Sequence, residues 1–259
     1  MPGAELTDRA LTGNRGAGLL KLIEKSRQRT LDRSPSAGAF TNVFYSGTTY
    51  SLWRVAEPLT RLASHQLVLD AGSGRGGWKQ IIESAGATRE SVDIAPKADE
   101  QVTWIADLTH MPQVPSDRYD SIVCHQVLEH VPSPARAIAE MYRTLKPGGS
   151  LVLSVPHLSR QHELPHDYFR FTPGGLNRLL LESGFAVERV EIYGGLLTFV
   201  HHQLSTVLLG LAAVSRPTYL LAAALNAPFS WLTSAMDRVV DRRGLLANGV
   251  VAVARKPNP

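Results

Sequence analysis

Three carboxylates and one run of glycines in this chain have the spacing needed to hold a nucleoside. Asp70 closes the apolar run Gln66-Leu67-Val68-Leu69 and leads into Ala71-Gly72-Ser73-Gly74-Arg75-Gly76-Gly77. Glycines in such a turn let backbone approach a ligand closely, and Gly72-x-Gly74-x-x-Gly77 matches the dinucleotide-binding pattern. Asp93 lies 21 residues beyond Gly72, at the tip of the next strand-like run, where a carboxylate accepts from ribose hydroxyls. Asp107, in Ala106-Asp107-Leu108, follows a third run and suits an adenine amino group. The turn alone does not separate a nicotinamide enzyme from other nucleoside binders. Asp70 favours the latter, because a carboxylate there repels a pyrophosphate yet accepts from an ammonium group or orients the turn. A second concentration of chemistry is the segment 161–172, QHELPHDYFRFT, with His162, His166, Asp167, Tyr168 and Arg170 among its aromatics.

These residues need a scaffold, and the hydrophobic pattern supplies one. Strands are expected at 66–70, 91–94, 102–105, 119–124, 150–155, 185–192 and 249–254. Helices are expected at 18–31, at 51–62, from Trp78, at 134–145 and from Thr172 to Gly184. Strands alternating with helices predict an α/β fold: a Rossmann-like, mostly parallel sheet with helices on both faces. In such folds ligands bind outside the carboxyl ends of the strands, where the glycine turn and the segment 161–172 both fall. The chain divides into a tail and helical segment (1–63), a core (64–193), an apolar helical insertion (194–244) and a last strand with its tail (245–259).

Composition narrows the partners. Twenty-seven Lys and Arg against 23 Asp and Glu leave a net charge of +4, too mild for nucleic-acid binding without a basic stripe, and none is visible. The single cysteine, Cys124, excludes an internal disulfide and suits a reducing, cytoplasmic compartment, and no secretory signal opens the sequence. His110, His162, His201 and His202 show no metal-ligand spacing, so no metal site is expected. Between Glu191 and Asp237 only Arg216 is charged. That stretch predicts two helices, 197–214 and 218–235, the second interrupted at Asn226-Ala227-Pro228. The segment 194–236 reads as a lid over the acceptor, a homodimer surface or a peripheral membrane contact, with the lid favoured.

VLDAGSGRGG, YDSIVCHQVLEHV and LKPGGSLVLSVP, in that order and with Ala106-Asp107-Leu108 between the first two, carry a resemblance. From about Leu67 to Ile192 the sequence resembles the class I S-adenosylmethionine-dependent methyltransferases, closest to their small-molecule branch. The resemblance implies a seven-stranded sheet whose last strand, 249–254, inserts antiparallel. It implies that Asp70, Gly72, Ser73 and Gly74 hold the methionine part of S-adenosylmethionine, Asp93 the ribose, and Asp107 with Leu108 the adenine. Ile94 would pack on the adenine and His125 would line the cofactor. IAPKADEQ, between Asp93 and Val102, departs from the family and leaves the adenine side more open. In the segment that holds Tyr45, Tyr50, Trp53 and Arg54, Tyr45 or Tyr50 would close over the sulfonium by cation–π attraction, or the aromatics would pack the helix onto the sheet.

Methyl transfer to oxygen needs a general base near neutral pH, and histidine is the natural one. The expectation is His166 as base, oriented by Asp167, with Tyr168 and Arg170 at the acceptor, Arg170 meeting an anionic group or bracing the loop. The acceptor would be a small molecule or a glycan- or lipid-linked one. Two rivals stand beside this reading: a nicotinamide-dependent oxidoreductase and a non-catalytic cofactor-binding partner subunit.

Overall fold

The computed structural model describes residues 64–95 and 100–259, together with 22–23, 25, 55, 57–59 and 61. Tyr45, Tyr50, Trp53 and Arg54 lie outside the described residues, as do most of the expected helix at 18–31 and residues 96–99.

Seven strands form one sheet: β1 (Leu67–Ala71), β2 (Thr88–Asp93), β3 (Trp104–Ile105), β4 (Tyr119–His125), β5 (Leu145–Pro156), β6 (Ala186–Tyr193) and β7 (Gly249–Arg255). Their order is β3-β2-β1-β4-β5-β7-β6. All pairings are parallel except those of β7, which runs antiparallel to both β5 and β6. Alternation sorts the strand residues onto two faces. Val68, Val123, Val152 and Val251 pack with Val55, Leu59, Trp78 and Ile82, the last from α1 (Lys79–Ser84). Leu69, Ile122, Leu151 and Ala252 pack on the other face with Ile138 and Met141 of α2 (Pro134–Thr144) and Leu176 and Leu180 of α3 (Pro173–Glu182). Both faces are therefore covered, which is why the central strands read as near-continuous apolar runs.

The apolar insertion is a helical hairpin, α4 (Leu196–Ala212) and α5 (Arg216–Val240). It leaves the sheet at the end of β6 and returns at the start of β7, where Tyr193 and Gly249 are paired and the Asn248 amide donates to the Tyr193 carbonyl at 2.9 Å. Gly195 gives α4 no side-chain cap, and α5 supplies one instead. The buried Asp237 carboxylate accepts from the Leu197 and Thr198 amides at 2.9 and 2.8 Å, a negative group where the helix dipole is positive.

One expectation about this hairpin changes. Pro228 does not break the second helix, which runs unbroken from Ser215, its capping-box residue, to Val240. Tyr219, Ala223, Asn226 and Ser230 share one buried stripe, and packing of that stripe outweighs the amide lost at one proline. Among the described residues, the hairpin's extensive packing is helix on helix, around Leu209, Ala213, Tyr219 and Ala223. It makes no comparable contact with β4, β5 or the turn beyond β4.

His202 of α4 gives the hairpin a pH signature. Burial, reinforced by Arg160 and His201, pushes its imidazole down to about 4 from 6.5, so the fold holds it neutral. The unfolded chain takes up this proton near 6.5, and stability is therefore lost as pH falls from there toward 4. Relative to His202→Gln, the native protein should lose about 1.4 kcal/mol per pH unit across that window. Urea melts at pH 7, 6 and 5 test this, and parallel curves for the two proteins would refute it.

Candidate active site

The glycine turn is built by what its backbone must do. Gly72 and Ser73 both donate to the Val92 carbonyl, at 2.8 and 3.2 Å, which ties the turn to β2. Gly72 has φ +73°, and a Cβ there would lie 2.4 Å from Val127 Cγ2, so only glycine fits between β1 and the segment after β4. Gly74 has φ +56°, and a Cβ there would meet nothing within 4 Å, so its backbone faces open space. Its amide donates to Asp93 Oδ2 at 2.8 Å. Beside this turn, Ser73 Oγ and His125 Nδ1 are buried without a hydrogen-bond partner among the described residues. Open space before left-handed backbone, bordered by polar atoms that the described residues leave unsatisfied, fits the polar end of an adenosyl cofactor.

The structure places the other expected cofactor residues as follows. Ile94 is 70% exposed at the tip of β2, free to cover a flat ring. Leu108 is buried in the core, so only its backbone can meet a ligand. Asp107 caps its own turn, accepting from the Thr109 amide and hydroxyl at 2.8 Å each. The His125 ring lies edge-on to Trp78, centroids 5.2 Å apart, and burial pushes it down to about 4, leaving the imidazole neutral at pH 7.

Asp70 fits the second of its two expected roles, orienting the turn. Its Oδ2 accepts from Arg89, from Nε at 2.9 Å and from Nη2 at 2.8 Å. Arg89 Nη1 donates to Glu100 at 2.5 Å, and Glu100 packs where a Cβ on Gly76 would stand. Glu100, Arg89 and Asp70 thus brace the turn from behind. Burial pushes the Asp70 carboxyl up to about 6 while Arg89 pulls it down, so the pair stays ionised at neutral pH. Nothing in the sequence near Asp70 signals Arg89, which comes from the strand alongside.

The loop 161–171 docks on the 3-10 turn Leu128–His130 that follows β4. The Tyr168 amide donates to the Glu129 carbonyl at 2.8 Å, and the Phe171 amide to the Pro156 carbonyl at 3.0 Å. This sets the loop at the carboxyl edge of β4 and β5, on the side of the turn where Val127 meets Gly72. His166 is exposed, with Nδ1 2.8 Å from the Tyr168 hydroxyl. Asp167 does not orient it. That carboxylate is buried against Arg170, at 2.7 and 2.8 Å, and accepts from the His162 amide at 2.9 Å. Burial opposes its ionisation, yet the bonds from Arg170 and the His162 amide hold its carboxyl below the usual range. Arg170 also donates to the carbonyls of Ser159, Arg160 and Phe169, so it braces the loop rather than meeting an anionic substrate group.

Sequence spacing also missed a juxtaposition. No metal site was expected, yet the Glu129 carboxylate and the Nε2 atoms of His130 and His162 converge within 4.8 Å. A cavity of about 690 Å³ lies elsewhere, at the amino ends of β1 and β4, lined by Gln66, Asp120 and Lys146 among others. Asp120 there is already satisfied by Lys146 and the Leu67 amide, so that cavity is no rival site.

The family model described as a methyltransferase domain matches residues 29–190, more than half of the chain. The chain is 29% identical to a ubiquinone biosynthesis O-methyltransferase of Burkholderia pseudomallei, over 49% of this chain and 66% of that protein. It is 26% identical to the protein of the same name from Psychrobacter arcticus, over 61% of that protein's length. The chain thus spans just under two thirds of these curated relatives. A putative sarcosine dimethylglycine methyltransferase from Galdieria sulphuraria superposes with a TM-score of 0.54 at 19% identity, covering 80% of this chain and 87% of that one. At that identity the likeness shows the fold alone.

The Gly72–Val127 contact yields a test. Gly72→Ala should destabilise the protein by about 1–3 kcal/mol through the left-handed backbone and the clash. Adding Val127→Ala should recover the steric part only, and chemical denaturation of the single and double variants reads the split. Equal stability of Gly72→Ala and the native protein would show that the turn tolerates a side chain.

Proposed function

The chain belongs to the S-adenosylmethionine-dependent methyltransferases, and we propose that it moves the methyl group to a hydroxyl of a small or lipid-linked acceptor. The observation that carries this reading is the glycine turn itself: open space before Gly74, Asp93 at its lip, and buried polar atoms of Ser73 and His125 left for a ligand to satisfy. The oxygen acceptor follows the names of the curated relatives, which are O-methyltransferases.

When bound, the cofactor supplies an already activated methyl carbon. The protein's task is then to align, to exclude water and to remove a proton. Ser73 and the amides of the turn would hold the methionine end. Asp93, fixed by the Gly74 amide, would accept from a ribose hydroxyl, Ile94 would cover the adenine, and Asp107 would accept from its amino group. His166 would take the acceptor's proton, with Tyr168 rather than Asp167 as its hydrogen-bond partner. A positioned base contributes about 10²–10⁴-fold. With a panel of hydroxylated acceptors and labelled cofactor, His166→Ala should lower turnover by at least ~100-fold at unchanged S-adenosylhomocysteine affinity. An unchanged rate would remove His166 from the chemistry, and labelling of no hydroxyl acceptor would defeat the reading as a whole.

The hairpin bears on how such an acceptor arrives. Val214, Leu204 and Trp231 are 68%, 65% and 73% exposed, among many apolar neighbours on α4 and α5, and Arg216, Arg238, Arg242 and Arg243 flank them. No helix among the described residues is long and apolar enough to cross a membrane. We infer an interfacial contact with anionic lipid, through which a lipid-soluble acceptor would be drawn. The protein should sediment with phosphatidylglycerol vesicles at low salt and be released by high salt. Absence from the vesicle pellet, together with concentration-dependent dimerisation, would assign the face to a second copy instead.

A further inference from the structure

We propose that Glu129, His130 and His162 form a binding site for a divalent first-row transition-metal ion, placed to hold the acceptor's oxygen. The starting point is Glu129. Its side chain is fully buried, and neither carboxylate oxygen accepts a hydrogen bond from the described protein. A buried carboxylate whose oxygens accept no hydrogen bond is unfavourable, and a cation beside it would remove the cost. The groups aimed at it are two ring nitrogens: His162 Nε2 lies 3.7 Å and His130 Nε2 3.8 Å from Glu129 Oε1.

The tautomers of those rings follow from their other nitrogens. His130 Nδ1 is 2.5 Å from the His166 carbonyl oxygen, and His162 Nδ1 is 3.3 Å from the Arg160 carbonyl oxygen. A carbonyl oxygen only accepts, so each Nδ1 carries the hydrogen, and each neutral ring turns an Nε2 lone pair inward. The two Nε2 atoms are 3.2 Å apart, with the ring planes 80° to one another, so two lone pairs and a carboxylate converge with no donor among them. A metal cation at their centre would satisfy all three at once.

The spacing suits a metal ion. Two nitrogens bound at about 2.0–2.1 Å to one tetrahedral ion stand about 3.3 Å apart. The carbonyls on the outer nitrogens are the second-shell partners that metal-bound histidines ordinarily have. Two imidazoles and one carboxylate favour zinc, iron, manganese or cobalt over magnesium or calcium. Three protein ligands leave a position open, and Glu163 Oε2, 3.9 Å from His130 Nε2, borders it.

The site is tied to the loop that carries His166. The Glu129 carbonyl holds the Tyr168 amide, the His166 carbonyl holds His130, and Val127, two residues before Glu129, packs on Gly72. An acceptor hydroxyl bound to the metal would be more acidic and held close to the turn that grips the methionine end. That role rests on the proposed methyl transfer to oxygen, whereas the binding site does not.

The test uses full-length protein stripped of metal by chelation and titrated with Co²⁺, with ligand-field absorption as the readout. One equivalent should bind to the native protein. His162→Gln and Glu129→Gln should weaken binding by at least ~10-fold while keeping the native far-ultraviolet circular dichroism. Metal-free Glu129→Gln should melt no lower than metal-free native protein, because the substitution removes an uncompensated buried charge. Equal Co²⁺ affinity in the native protein and both variants would overturn the site, as would the absence of any ligand-field band. A one-equivalent site in a protein that methylates no hydroxyl would sustain this inference and refute the proposed function.

Discussion

How this fold neutralises the carboxylates it buries decides what its carboxyl edge can do. Asp70 is neutralised by a guanidinium from the neighbouring strand, Asp93 is hydrogen-bonded by the amide of Gly74, and Asp167 is neutralised by Arg170 and hydrogen-bonded by the His162 amide. Each pairing is also structural: the first braces the glycine turn, the second sets its lip, and the third fixes the loop that presents His166. Glu129 breaks the series, buried as deeply as the rest but facing two imidazoles that both present lone pairs. An edge that compensates three carboxylates within the chain and leaves one for an external cation has divided its anions between architecture and chemistry.

The topology explains why an apolar hairpin can be added without disturbing that edge. β7 returns antiparallel between β5 and β6, so the insertion begins and ends at one paired position, Tyr193 and Gly249. Its helices pack on each other and are anchored by Asp237 and Asp241 at their base, Asp241 accepting from the Leu196, Leu245 and Leu246 amides. The exposed apolar surface of the hairpin therefore lies on helices that pack mainly on each other.

Much of this was legible from the chain because the signals are local. A short apolar run ending in Asp70 and followed by glycines can only be a strand and a tight turn, and covered faces follow from runs too apolar to alternate. The family resemblance supplied the antiparallel last strand. What escaped depends on contacts between distant residues. Arg89 reaches Asp70 from the next strand, and His162 meets His130 across 32 residues because one loop folds back on the turn after β4. Asp167 faces Arg170, three residues on, rather than the adjacent His166, since neighbours on an extended loop point apart. Pro228 sits within a helix because a packed stripe on either side of it prevails over local propensity. In each case tertiary geometry, invisible to spacing, selected the partner.

The central claim is that the glycine turn holds an adenosyl-sulfur cofactor rather than a nicotinamide. Isothermal titration of the same protein with S-adenosylhomocysteine and with NADH addresses it directly. The account predicts saturable binding of S-adenosylhomocysteine, weakened by Asp93→Ala, and no binding of NADH. Binding of NADH with no response to S-adenosylhomocysteine would contradict it.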